Sequence, residues 1–234
     1  MRRTHTRVAT ALTALLLLSV LSSLAIPASL GIDQTAAATS TGRSTSAEVF
    51  LTGGGSTTHD EFAGAIAAAD NGFVVAGDVN SSAPSLVFGP HTYIPTSPYT
   101  NGNDFFLASV NGNGAWDYVV GADHSQGGVS FMADVQAHAG NAVVAGYMYG
   151  PVDFGQFSLS SAVQYDAFIA QADATGNWMW ATGFQTLPNS STDSSIPQAM
   201  AVDLVGDVIV AGVFSGETDL GGTSINVSSV EGYI

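Results

Sequence analysis

The sequence predicts an all-β chain of β-propeller-type repeats: four-stranded antiparallel blades, about three of them, in an incomplete ring. Three observations predict it. "FVVAGD" (73–78) returns as "AVVAGY" (142–147) and as "VIVAGV" (208–213). Gly77 to Gly146 is 69 residues and Gly146 to Gly212 is 66, a spacing that marks a repeat architecture. The apolar segments are short, rich in β-branched residues and bounded by Gly and Asn turns. None shows a helical period outside the N-terminal segment.

That segment comes first. "MRRTHTR" carries Arg2, Arg3 and Arg7, and the uncharged run "VATALTALLLLSVLSSLAI" follows. Residues 1–38 read as a signal peptide or N-terminal membrane anchor, with an A-x-A pattern ending at Ala38. If it is not cut, the basic start leaves the remainder outside the membrane, tethered. Residues 39–47 read as a flexible linker, and 48–234 as the repeat domain. "EVFLTGG" (48–54) resembles the later fourth strands, so it reads as a lone outer strand. Blade 1 is expected at about 62–122, blade 2 at about 131–184 and a partial blade 3 at about 197–234.

Each unit reads as four strands. The first is rich in small residues ("AGAIAA", "MADVQA", "QAMAVD"), suited to a crowded axis, with Gly64, Ala133 and Ala199 at equivalent places. The second is the Val-Ala-Gly strand. The third is "DFFLA" or "DAFIA", and the fourth is aromatic. At a constant offset of 62, Asp104 meets Asp166, Phe106 meets Phe168, Trp116 meets Trp178 and Tyr118 meets Trp180. "EGYI" (231–234) starts the third copy of the third strand. "NGNG" (111–114), "AHAG" (137–140), "DATGN" (173–177) and "DLVGD" (203–207) place Gly fourth, where a type I turn needs a left-handed residue. Asn71 takes that place in the first copy.

A solenoid would have a shorter period, and a two-sheet sandwich would not predict this self-match. Stopping four residues into a strand reads as a fragment of a longer protein. Assembly of short chains into one ring is the alternative.

"VDFG" (152–155), "TDLGG" (218–222) and "DAFIAQADATGNWMWATGF" (166–184) together resemble the bacterial and archaeal SBBP-type β-propeller repeat. The resemblance covers about residues 48–234. The third-strand Lys usual in that family is Ser109 and Gln171 here. The resemblance implies large extracellular or surface proteins and supplies no catalytic residues.

Charge narrows the partners. The four basic residues all lie at or before Arg43, and eighteen of the nineteen acids follow Ser44. Nucleic acid and anionic membrane are poor partners for such a surface. The only expected membrane contact is through an uncleaved N-terminal segment. There is no cysteine, so an exported domain of this sequence is held by packing rather than disulfides.

Candidate chemistry is sparse. His59, His91, His124 and His138 do not recur at repeat positions and have no metal-ligand spacing. His5 lies in the N-terminal segment. "THDEF" (58–62) reads as a solvated connection. "DATGN" and "DLVGD" look like calcium loops but lack the alternating ligands of one, so turn chemistry explains them and only weak calcium binding stays open. A Ser nucleophile needs a partnered His and acid, and no G-x-S-x-G is present. "GGGST" (53–57) lacks the Lys of a phosphate loop. Trp116, Trp178 and Trp180 could stack on sugars but read as blade-to-blade core. Asn80, Asn189 and Asn226 begin glycosylation sequons.

No catalytic, cofactor-binding or metal residue is assigned. The expected function is a non-catalytic binding or adhesion scaffold, secreted or on the cell surface, for polysaccharide or another surface protein. The alternative is a secreted propeller-fold hydrolase or lyase acting on polysaccharide.

Overall fold

The computed structural model describes residues 52–56, 59, 61–99, 102–161, 165–187, 193–219 and 223–234. All belong to one compact unit, Ala37–Ile234. The signal or anchor (1–38), the linker (39–47), most of the lone strand (48–54) and Asn189 lie outside the described residues, as does part of "THDEF".

The described chain is all β, in antiparallel sheets with no helix. Hence no described helix is long and apolar enough to cross a membrane. In chain order the strands are β1 (Gly54–Gly55), β2 (Glu61–Ala69), β3 (Gly72–Asn80), β4 (Leu86–Phe88), β5 (His91–Tyr93), β6 (Asn103–Asn111), β7 (Trp116–Val120) and β8 (Val129–His138). Then follow β9 (Asn141–Tyr149), β10 (Pro151–Phe154), β11 (Phe157–Ser160), β12 (Asp166–Ala172), β13 (Trp178–Leu187), β14 (Ser194–Val202), β15 (Val208–Asp219) and β16 (Ser224–Tyr233).

The first unit is the four-stranded sheet β2-β3-β6-β7, and the second is β8-β9-β12-β13 in the same order. In the third, β14, β15 and β16 take the first three places. The register repeats: Gly77 faces Phe106, Gly146 faces Phe168 and Gly212 faces Tyr233. "EGYI" is therefore the third copy of the third strand, as expected.

One feature departs from separate blades. The end of β13 pairs with the end of β15 (Gln185↔Asp219 to Leu187↔Glu217), which joins the second and third units into one seven-stranded sheet. The same contact exists at the earlier junctions in shorter form. Asp123 exchanges both backbone hydrogen bonds with Asp153, and Gly55 pairs with Val87. The end of each preceding strand thus meets the edge of the next unit at one repeating position. The N-terminal segment occupies that position against the first unit.

The faces explain the Val-Ala-Gly strand. On β9, Ala142 and Val144 pack into a core shared with Val74, Ala76, Phe105 and Leu107 of the first unit. Val143 and Ala145 alternate to the other face, against Met200 and Val210 of the third unit. The second sheet is covered on both sides, so its central strand is a continuous apolar run. At the front of the first unit, Phe88, Phe106 and Trp116 form an aromatic group, and Phe154, Phe168 and Trp178 repeat it. Trp178 Nε1 donates to Gly121 O of the preceding unit, and Trp116 Nε1 to Gly53 O. Tyr118 packs in the core between units one and two, and Trp180 in that between two and three. The tryptophans are junction residues.

The glycine has its own cause. Each first strand carries a bulge opposite it, at Gly64, Ala133 and Gln198. The bulge pushes one carbonyl toward the second strand. A Cβ on Gly77, Gly146 or Gly212 would overlap the carbonyl oxygen of Phe62, Phe131 or Ile196 respectively. In the third copy the bulge sits at Gln198, directly after Pro197, one residue before Ala199, which is the sequence equivalent of Gly64 and Ala133. The first strands are sheet edges, and β8 packs against both β2 and β14. Phe62 and Ile66 on β2 are 68% and 51% exposed, so its outer face is open rather than crowded.

The turns divide into two kinds. Asn111–Ala115, Asp173–Asn177 and Asp203–Asp207 share one loop. The carbonyl of its first residue accepts from the fourth amide, its amide donates to the fifth carbonyl, its Oδ1 accepts from the fifth amide, and the fourth residue, Gly114, Gly176 or Gly206, has positive φ. "AHAG" is different: His138 pairs with Asn141, and Ala139 and Gly140 both have positive φ, as in a tight two-residue hairpin. Asn71 is not left-handed. Ala69 pairs with Gly72, and Gly72 takes the positive φ.

Candidate functional site

One buried polar group spans the first and second units. Asp104 opens the buried part of β6, His124 lies in the connection after β7, and Ser130 lies on β8. His124 Nδ1 is 3.4 Å from Asp104 Oδ1, and His124 Nε2 is hydrogen-bonded to Ser130 Oγ at 2.7 Å. All three side chains are fully buried. The residue types and their order in space are those of a serine-nucleophile triad.

The connection 94–99 completes the group. Thr96 N and Ser97 N donate to Asp104 Oδ2 at 2.7 and 3.2 Å. His124 N donates to Thr96 Oγ1, and Ser97 Oγ to Gly128 O. Burial pushes the Asp104 carboxyl up and the His124 imidazole down, against their mutual attraction. Burial thus favours the neutral form of each group.

A comparison within the chain decides what the group does. The next junction has the same parts without the histidine. Asp166 replaces Asp104, Thr186 replaces His124 at the same offset of 62, and Ser195 replaces Ser130. Ser130 faces Met148 and Ser195 faces Phe214, at matching places in the two sheets. Asp166 Oδ1 accepts from Thr186 N at 2.9 Å. Ser195 Oγ accepts from Ala167 N and donates to Phe184 O. At the N-terminal junction, Glu61 stands at the serine position and accepts from Ser56 N. Each junction thus places a polar side chain at the Ser130 position, but the serine–histidine bond is made at the first-to-second junction only. A nucleophile needs access, and Ser130 has none.

Two more carboxylates tie neighbouring units together, one from the second strand β3 and one from the first strand β8. Asp78 Oδ1 accepts from Met132 N at 2.8 Å, and Asp134 Oδ2 from Met200 N at 2.7 Å. Burial pushes the Asp78 carboxyl up to about 6, against the lowering effect of the Met132 amide. In the exposed turns, Asp173 is held well below the usual range by hydrogen bonds from the Thr175 hydroxyl and the amides of Asn177 and Thr175. These carboxylates are already engaged by the loop itself. Among the described residues no three His, Asp or Glu side chains gather to hold a metal ion.

The other sequence candidates are scattered. His91 Nε2 is hydrogen-bonded to Trp116 O, and His138 sits at the tight hairpin. Asn80 Oδ1 accepts from Ser82 N, and Asn226 is exposed on β16. The buried group was missed because its members are 20 and 6 residues apart and the histidine has no second copy. The repeated acid, Asp104 and Asp166, was the available signal.

No protein-family model matches the chain, and no curated protein matches it significantly.

Proposed function

We propose that this chain is a non-catalytic binding or adhesion scaffold, secreted or on the cell surface, built of β-propeller-type repeats of the SBBP kind. Three features support the propeller arrangement. The second sheet is covered on both faces by its neighbours, the first strands lie side by side, and one junction geometry recurs three times. The observation that carries the non-catalytic reading is the full burial of the Asp104–His124–Ser130 group; at the next junction the acid Asp166 is held by the backbone N–H of Thr186, with no histidine in that place. The described surface has acids and no Lys or Arg, which suits neutral or cationic partners such as polysaccharide or a surface protein. Any calcium would bind weakly, at exposed acids. Binding of residues 39–234 to a glycan array tests the reading. Saturable binding to a defined glycan, with no change to the glycan, supports it. Cleavage of the bound glycan refutes it.

The rival is a secreted propeller-fold hydrolase or lyase acting on polysaccharide. The triad-like geometry is the one observation in its favour. A fluorophosphonate probe that labelled Ser130 would show an accessible, activated serine, and release of shortened polysaccharide by the purified domain would establish the rival.

A further inference from the structure

The second unit has an opening that the first unit fills with its own side chain. In the first unit, Tyr93 on β5 lies over Gly121, where a Cβ would run into the ring. Its hydroxyl donates to Ala122 O at 3.2 Å. Burial, with Asp104 and Asp123 adding to it, holds this phenol far above the ordinary range. The same position in the second unit is Leu159 on β11. Tyr93 pairs with Leu86, and Leu159 with Val152, each two residues before the phenylalanine of its aromatic group. Gly183 corresponds to Gly121 at the offset of 62, and a Cβ there would meet Leu159 only at 3.9 Å. Over Gly183 lies an open cleft of about 550 Å³ instead of a ring, lined by Met148, Leu159, Gly183, Phe184, Asp153 and Asp166 among others. Met148 replaces Val79 and returns part of the volume, its Cε lying 3.6 Å from a Cβ built on Gly183.

We infer that this cleft binds a phenol-bearing ligand, seated where Tyr93 sits in the first unit. One repeat carries the ring and the next lacks it at the same backbone position. Leu159 and Met148 supply apolar contact to the ring faces. Asp153 and Asp166 line the cleft, so an amine substituent is favoured over a carboxylate. The inference rests on the binding reading above and gives it one ligand class.

The test uses residues 39–234 and p-cresol as the probe, followed by amide NMR. Saturable shifts centred on Gly183 and Leu159, with a dissociation constant on the order of 1 mM, are expected. Tyramine should bind more tightly than 4-hydroxyphenylacetate. Leu159→Tyr supplies the ring from within and should weaken p-cresol at least about tenfold, with the fold retained. Leu159→Ala, which enlarges the cleft, should keep binding and guards against a misfolded tyrosine variant. N-acetyltyrosinamide separates the two sources: binding equal to p-cresol points to a tyrosine on a partner protein, and binding of p-cresol alone to free phenols. No saturable shift, shifts elsewhere, or unchanged affinity in Leu159→Tyr would overturn the inference. Such a failure leaves glycan binding by the domain untouched, so the two ideas fall separately.

Discussion

Gly146→Ala should destabilise the domain strongly, while Gly183→Ala should not. Both glycines lie in strands of the second unit, and neither has a positive φ. A Cβ on Gly146 would overlap Phe131 O and lie 2.6 Å from Phe168 Cζ. The oxygen is backbone held by the bulge, so it cannot rotate away, and Phe168 is fully buried in the shared core. Overpacking of this kind costs about 1–3 kcal/mol, and a fixed backbone obstacle places it near 3. At about 2–4 °C per kcal/mol for a domain of this size, Tm should fall by about 6–12 °C. At Gly183 the nearest atom to a Cβ is Ala167 O at 3.5 Å, an ordinary contact. There the loss of chain entropy in the unfolded state should dominate, with a gain of about 0.4–1 kcal/mol. Urea unfolding and differential scanning calorimetry on both variants measure the contrast. Equal stabilities would refute the claim that the bulge carbonyl selects the repeated glycine.

Further outcomes follow from the polar groups. Asp78 has a folded pKa above its ordinary 3.8, so its contribution to stability is full below about pH 4 and lost as pH rises through about 6. Asp78→Asn keeps an acceptor for Met132 N and should stabilise by about 1–3 kcal/mol at pH 8, with no gain at pH 3.5 in denaturant titrations. Ser130→Ala should cost about 1–3 kcal/mol by stripping the buried His124 Nε2 of its partner. His124 points the other way from Asp78. Its lowered pKa gives stability that is present above about pH 6.5 and lost as pH falls below it. Trp178→Phe removes the bond to Gly121 O across the first junction and should cost about 1–2 kcal/mol by the same unfolding assay.

Much of the fold was legible because a repeat supplies its own alignment. The Val-Ala-Gly strand recurs at 69 and 66 residues, and Phe106 and Trp116 recur together at 62 as Phe168 and Trp178. Three things were not legible. The bulge that selects the glycine depends on which strand pairs with it, and in the third copy it falls one residue earlier, directly after Pro197. Loop length between paired strands, not the fourth-place glycine, decides the turn, so Asn71 and "AHAG" were misread. Polar groups between units are invisible in one unit's sequence. Asp104, His124 and Ser130 meet only because two sheets stack. The cleft over Gly183 is similarly hidden until Tyr93 and Leu159 are placed on one backbone position.

The central claim is that each unit joins the next through one repeated backbone contact. Trans-hydrogen-bond scalar couplings measured by NMR test it most directly at Asp123 and Asp153, whose amides and carbonyls exchange bonds at 2.8 and 2.9 Å. Couplings in both directions across this pair, with close amide contacts at Gln185–Asp219 and Gly55–Val87, are the predicted result. Intact ladders within each unit, with no coupling between Asp123 and Asp153, would contradict it.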